Sequence, residues 1–180
     1  MYKRQSLDCA ASEFFDGKNY ILNATDETFS SDGLVDYYVK LIKKFDIKSI
    51  EDPLHEDDWD GWIKLTRELN GVQIVGDDIF VTQRELLKKG IDSHAGNAIL
   101  IKPNQVGTLT ESLESIQLAK ENKFNTIISH RSGETEDSFI ADLAVGVDAK
   151  QIKTGAPSRS DRNSKYNRLL IIENELYPKK

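Results

Sequence analysis

From Ser30 onward the apolar residues fall into two alternating patterns: short continuous runs, and longer stretches with apolar positions at i, i+3 and i+4. Leu34, Tyr38, Leu41, Ile42 and Phe45 share one face of a helix, with Ser31-Asp32 placed to cap it. Residues 47–50 form a strand ended by Glu51-Asp52-Pro53, where proline forces the chain out of regular pairing. Residues 59–69 are helical through Trp62, Leu65 and Leu69, and 72–75 form a strand closed by Gly76-Asp77-Asp78. Thr82 is expected to cap a helix over 85–89. Ala98-Ile99-Leu100-Ile101 is an apolar strand stopped by Lys102-Pro103-Asn104. Thr108 caps a helix over 109–121, residues 125–128 form a strand, and 139–147 a short helix. Gln151-Ile152 is a brief strand before Lys153-Thr154-Gly155, and Ser160 caps a last helix through Tyr166, Leu169, Leu170 and Ile172.

With a further strand ending near Leu7, this makes six strand-then-helix units. Repeated alternation with near-continuous apolar strands predicts a parallel sheet covered by helices. No linker, repeat or low-complexity segment divides the 180 residues. No apolar run approaches the ~20 residues of a membrane span. The single Cys9 excludes an intramolecular disulfide and fits a reducing compartment. A net charge of -6 disfavours broad binding to nucleic-acid phosphates, while leaving room for a local cationic pocket.

Residues 1–5 carry no signal-peptide pattern. Tyr-Lys-Arg-Gln after an initiator Met is what GTG-TAT-AAG-AGA-CAG encodes, a string matching the transposon end used to tag DNA libraries. Residues 1–5 are therefore expected to be a non-native tail, the other reading being a genuine flexible one, and 6–180 the folded unit.

The chemistry follows the strands. Asp8, Glu51, Asp77, Lys102, His130 and Lys153 each sit at or just past the end of an apolar run. In a (β/α) barrel such ends converge on one face, where catalytic residues gather. Three carboxylates brought together repel and call for a divalent cation; oxygen-only ligands select a hard ion such as Mg²⁺. Asp52 and Asp78, their neighbours, are read as helix caps or water ligands. Lys102, at the end of an apolar strand, is a candidate base. It needs its pKa lowered from ~10.4 by roughly three units, with Lys153 and a divalent cation supplying repulsion of the right sign. Ser129-His130-Arg131-Ser132-Gly133-Glu134 has the make-up of an anion loop: a guanidinium fork, a hydroxyl, and a glycine that lets backbone amides approach. His55 and His94 are read as loop residues.

Five segments together carry a resemblance. Ser49-Ile50-Glu51-Asp52-Pro53, Val75-Gly76-Asp77-Asp78, Ile99 through Thr108 (ILIKPNQVGT), Ser129 through Asp137 (SHRSGETED) and Gln151 through Pro157 (QIKTGAP) are similar to enolase in order and spacing. Leu7-Asp8-Cys9-Ala10-Ala11-Ser12-Glu13-Phe14 resembles the first metal-ligand strand of that family. The resemblance implies a partial TIM-type barrel, six consecutive βα units of the C-terminal domain, without the N-terminal domain and first barrel strands. It implies dehydration of 2-phosphoglycerate to phosphoenolpyruvate in glycolysis with two Mg²⁺ ions. Asp8, Glu51 and Asp77 match the tighter metal site, and Lys102 the base at C2. Arg131 and Ser132 match the phosphate contacts, Lys153 a contact near the substrate carboxylate, and His130 a residue lining the site. The family's general-acid glutamate and mobile loops belong to the part not matched, so the isolated chain is expected to have little or no activity. Homo-oligomers and a cytoplasmic location, with appearances at the cell surface or outside it, are implied as well. Other readings are a superfamily racemase or cycloisomerase, disfavoured by the anion loop, and plasminogen capture through Lys179 and Lys180, set against an ordinary frayed terminus.

Overall fold

The computed structural model describes residues 5–178. The chain opens with β1 (Gln5–Asp8), a turn of 3-10 helix (Ala11–Phe14) and a hairpin of β2 (Tyr20–Leu22) and β3 (Glu27–Phe29). There follow α1 (Ser31–Phe45), β4 (Ile47–Glu51), α2 (Trp59–Glu68), β5 (Gln73–Gly76), α3 (Arg84–Ser93) and β6 (Ala98–Ile101). A single turn α4 (Pro103–Val106) leads to α5 (Leu109–Glu121), β7 (Asn125–Ser129), α6 (Phe139–Gly146), β8 (Gln151–Lys153) and α7 (Ser160–Leu176). The six long-range strands pair in parallel in the order β1-β4-β5-β6-β7-β8. The expected α/β half-barrel is what the chain forms.

Local chemistry sets the helix boundaries. Ser30, one residue before the expected cap, accepts the Gly33 N–H at 3.2 Å and starts α1. Asp58 accepts from Gly61 at 3.1 Å to start α2. Thr108 accepts from Glu111 while its hydroxyl donates to that glutamate at 2.6 Å, a reciprocal cap for α5. Ser160 does not cap α7: Arg159 holds that place with no side-chain cap bond. Thr82 is not a cap either. It is buried at φ +61, donates to the Leu100 carbonyl and accepts the Lys102 N–H at 2.9 Å, so it ties the α3 approach to the end of β6. The β2–β3 hairpin had no counterpart in the periodicity, since three-residue strands are too short to show a period. Gln5, inside the segment set aside as a tail, opens β1 opposite Ile47; residues 1–4 lie outside the described ones.

Side chains alternate across a strand, so each strand divides its residues between two cores. Ile50, Ile74, Ile99, Ile101 and Ile128 face the helices and join Leu34, Val35, Trp62, Leu65, Phe80 and Leu87 in the larger one. Val75, Ala98, Leu100 and Ile127 form a smaller cluster on the concave side. Below that cluster lies a polar floor. The Gln73 amide donates to Ser49 at 3.1 Å and Gln151 at 3.0 Å, and accepts from Asn125 at 3.1 Å and Gln151 at 2.8 Å. β5 and β8 are separated by two strands in the sheet, so these bonds cross its concavity: the sheet is curled.

Candidate active site at the strand ends

The pleat decides which strand-end residues meet. Ser49 and Glu51 lie on the concave face of β4, and Gln73, Val75 and then Asp77 follow that face along β5. Ala98, Leu100 and Lys102 do the same on β6, as do Gln151 and Lys153 on β8. Asp8 stands directly opposite Glu51 in the ladder. Five of the six strand-end candidates, Asp8, Glu51, Asp77, Lys102 and Lys153, therefore reach one rim.

Two lysines organise the carboxylates. Lys153 Nζ donates to Asp8 Oδ2 at 2.7 Å and to Glu51 Oε1 at 2.8 Å, joining the sheet's first and last strands. Lys102 Nζ donates to Asp77 Oδ2. Glu51 is buried, and burial raises its pKa while Lys153 opposes the rise. For Lys153, burial acts downward, but the hydrogen bonds to Asp8 and Glu51 outweigh it and the pKa is raised. Lys153 is thus a firmly held cation.

The neighbouring aspartates have a different part. Asp52 is buried at φ +42, and its two carboxylate oxygens accept the N–H groups of Asp77 at 2.8 Å and Asp78 at 2.9 Å. Its own N–H donates to the Val75 carbonyl, and its carbonyl accepts from Ala11 at 3.0 Å. Asp52 therefore bolts together the ends of β1, β4 and β5. Burial pushes its pKa up to about 8, against the pull of the two amides. Asp52 caps no helix; it fixes the backbone that carries Asp77. Gly76 precedes that residue, and a Cβ there would lie 2.4 Å from the Phe80 ring, so only glycine lets the turn close over it.

Carboxylate oxygens of Asp52, Asp77 and Asp78 lie within 4.8 Å of one another, the one such group among the described residues. Asp8 and Glu51 instead converge on Lys153. Asp77 pairs with Lys102 and not with Lys153, so the expected ligands Asp8, Glu51 and Asp77 do not form one such group here; Asp77 Oδ1 is buried with no hydrogen-bond partner. Oxygen-only donors with one orphaned carboxylate oxygen fit a hard divalent cation.

The anion loop stands on the other side of the rim. His130 has the opposite pleat parity from Ser129 and turns toward α7, where its Nδ1 meets Arg162 Nη1. Its pKa is lowered, by burial first and Arg162 second. Arg131 donates to Asn104 Oδ1 at 3.1 Å, and Ser132 is exposed. Two buried cations beneath the loop, Arg162 and Lys165, escaped the sequence reading. Their signal was there: with Leu169 and Ile172 they fall at intervals of three and four residues on one helix stripe, where a charge has to be paired. His55 and His94 lie in connecting segments. Cys9, beside Asp8, has its thiol pushed up to about 11 by burial. Lys179 and Lys180 lie outside the described residues, and no helix among those residues is long and apolar enough to cross a membrane.

Comparison with known proteins adds a family. A profile described as "Enolase, C-terminal TIM barrel domain" matches residues 3–179. The enolase of Natranaerobius thermophilus is 53% identical over 173 residues, covering 96% of this chain. Those residues are 40% of that relative, so the chain spans less than half of its length.

Proposed function

Because the chain belongs to the family of enolase C-terminal TIM barrel domains, we propose that it supplies the rim on which an enolase interconverts 2-phosphoglycerate with phosphoenolpyruvate and water. The observation that carries this reading is the sorted rim: three carboxylates and two lysines on one concave face, beside a loop rich in anion donors.

In this reading Asp8, Glu51 and Asp77 would hold Mg²⁺ once Lys153 and Lys102 release their carboxylates, and the ion would supply charge neutralisation for the substrate carboxylate. Lys102 takes the proton from C2. To do so its ammonium has to leave the Asp77 carboxylate and give a proton to solvent, which frees a lone pair to face the carbon. Lys153, firmly cationic, faces the substrate carboxylate, and Arg131 with Ser132 takes the phosphate. His130 lines the loop as a neutral hydrogen-bonding group. The departing hydroxide needs a proton from a general acid, for which the family uses a glutamate in the portion this chain does not span. The 180-residue chain alone accordingly gives little or no turnover. Assembly as a homo-oligomer and a cytoplasmic location belong to the same reading of the full-length enzyme.

Calorimetric titration tests it. The chain should bind phosphoenolpyruvate in a Mg²⁺-dependent manner, lose that dependence in Asp77→Asn, and ignore 2-hydroxy acids lacking phosphate. Equal binding of unphosphorylated acids, or none of phosphoenolpyruvate, would overturn the assignment. Turnover near that of an intact enolase would overturn the inactivity.

A further inference from the structure

The loop at 130–135 leans on α7 through contacts that the strand-end pattern does not explain. Arg162 is buried, and its guanidinium is aimed at loop acceptors. Nη1 donates to the Arg131 carbonyl at 2.9 Å and also meets His130 Nδ1; Nη2 donates to the Ser132 carbonyl at 3.0 Å. Nε lies 3.3 Å from Asp161 Oδ2, which balances the charge. Lys165, 1% exposed, secures the far end of the loop through the Thr135 carbonyl. Space for the guanidinium stem comes from Gly155, at φ +81, where a Cβ would lie 3.0 Å from Arg162 Cδ and 3.2 Å from His130 Cε1.

Two chemical consequences follow from this arrangement. An arginine is always protonated and offers only donors. Facing it, His130 Nδ1 has to be the acceptor, so the imidazole is neutral and its hydrogen sits on Nε2. The second consequence concerns the backbone. In a trans peptide, one residue's C=O and the next residue's N–H point in opposite directions. With the Arg131 and Ser132 carbonyls turned onto Arg162, the N–H groups of Ser132 and Gly133 are turned away from it. Neither N–H is used in a hydrogen bond among the described residues.

We propose that Arg162 is a positioning residue for the anion loop: it fixes His130 as the Nε2–H tautomer and, by gripping two carbonyls, aims the Ser132 and Gly133 amides outward as a pair of donors for a phosphate group. The proposal rests on the reading of this loop as the phosphate site. It adds an anchor outside that site, on a helix whose cations touch loop carbonyls.

Nitrogen NMR on the labelled 180-residue chain tests both consequences. Long-range proton–nitrogen spectra at neutral pH should show His130 as the Nε2–H tautomer, a signature that a purely space-filling Arg162 would not impose. Inorganic phosphate should shift the Ser132 and Gly133 amides. In Arg162→Gln, with the Ile99 and Leu100 amides unmoved, phosphate affinity should fall about tenfold, the size of one lost charge-assisted contact, and His130 should become a mixture of tautomers. Arg162→Lys, which keeps the charge without the fork, should lose less affinity and also release the tautomer. An Nδ1–H imidazole in the unaltered chain, or unchanged phosphate affinity in a folded Arg162→Gln, overturns the proposal without the need for a further variant. If phosphate leaves the unaltered chain's loop untouched, the phosphate-site reading fails, while the tautomer still decides what Arg162 does to His130.

Discussion

The two limbs of the rim are held in place by opposite chemistry. On the acidic limb a buried carboxylate, Asp52, collects backbone N–H groups from Asp77 and Asp78. On the loop limb a buried guanidinium, Arg162, collects backbone carbonyls from Arg131 and Ser132. Each anchor uses up one polarity of the local peptides. On the loop limb this leaves the Ser132 and Gly133 N–H groups without partners among the described residues, whereas on the acidic limb the Asp77 carbonyl is taken by the Phe80 and Val81 N–H groups. The limb read as an anion site therefore offers backbone donors, and the limb read as a cation site offers side-chain oxygens.

The strongest way to break this comparison is to remove an anchor. Asp52→Ala leaves one buried and one half-buried amide without acceptors and should destabilise the chain by about 3 kcal/mol, read by urea denaturation; a loss under about 1 kcal/mol would mean water replaces the carboxylate. Lys153→Met comes next. It strands Glu51 beside Asp8 and should cost about 2 kcal/mol, less than a fully buried pair because Lys153 and Asp8 are partly exposed. Added Mg²⁺ should then raise the melting temperature of this variant more than that of the parent, and equal shifts would argue against a cation among these oxygens.

Gly155→Ala probes the loop limb from below. A side chain at φ +81 is strained and presses on Arg162 and His130, so a loss of about 1–2 kcal/mol is expected, together with displaced His130 resonances. The smallest effect is a pH dependence. Because burial and then Arg162 lower the His130 pKa, the unfolded chain takes up the proton before the folded one. The stability this residue contributes is complete above the usual value of about 6.5 and is lost as pH falls through the lowered value. Glu134 opposes the shift, whereas Lys153 and Lys165 add to it. His130→Gln should flatten the denaturation midpoint over that interval, and an unchanged slope would assign it to another group.

Much of the rim was legible because a strand advertises its end. Lys102 follows four fully buried residues of β6, and a polar residue at that point stands out. The anchors were less visible. Asp52 is one of two adjacent acids, and nothing local tells which one turns into the rim and which turns back onto the next strand's amides. Parity settles it, through a pairing partner far off in sequence. Arg162 and Lys165 share a helix stripe with Leu169 and Ile172, which marks them as buried, but nothing in the helix itself names the loop carbonyls they hold. His130 fits the strand-end pattern equally well, yet one step of the pleat sends its ring toward α7. The β2–β3 hairpin, built around the buried Tyr20, left no periodic trace in so few residues.

The Gln73 carboxamide, with all of its hydrogen-bonding capacity engaged, works as a drawstring at the base of the bowl. From β5 it is bonded at once to Ser49 on β4, Asn125 on β7 and Gln151 on β8. The gauge of the opening above is therefore set several residues below the chemistry: a longer or shorter side chain there would retune the distances among Glu51, Asp77, Lys102 and Lys153 without touching any of them.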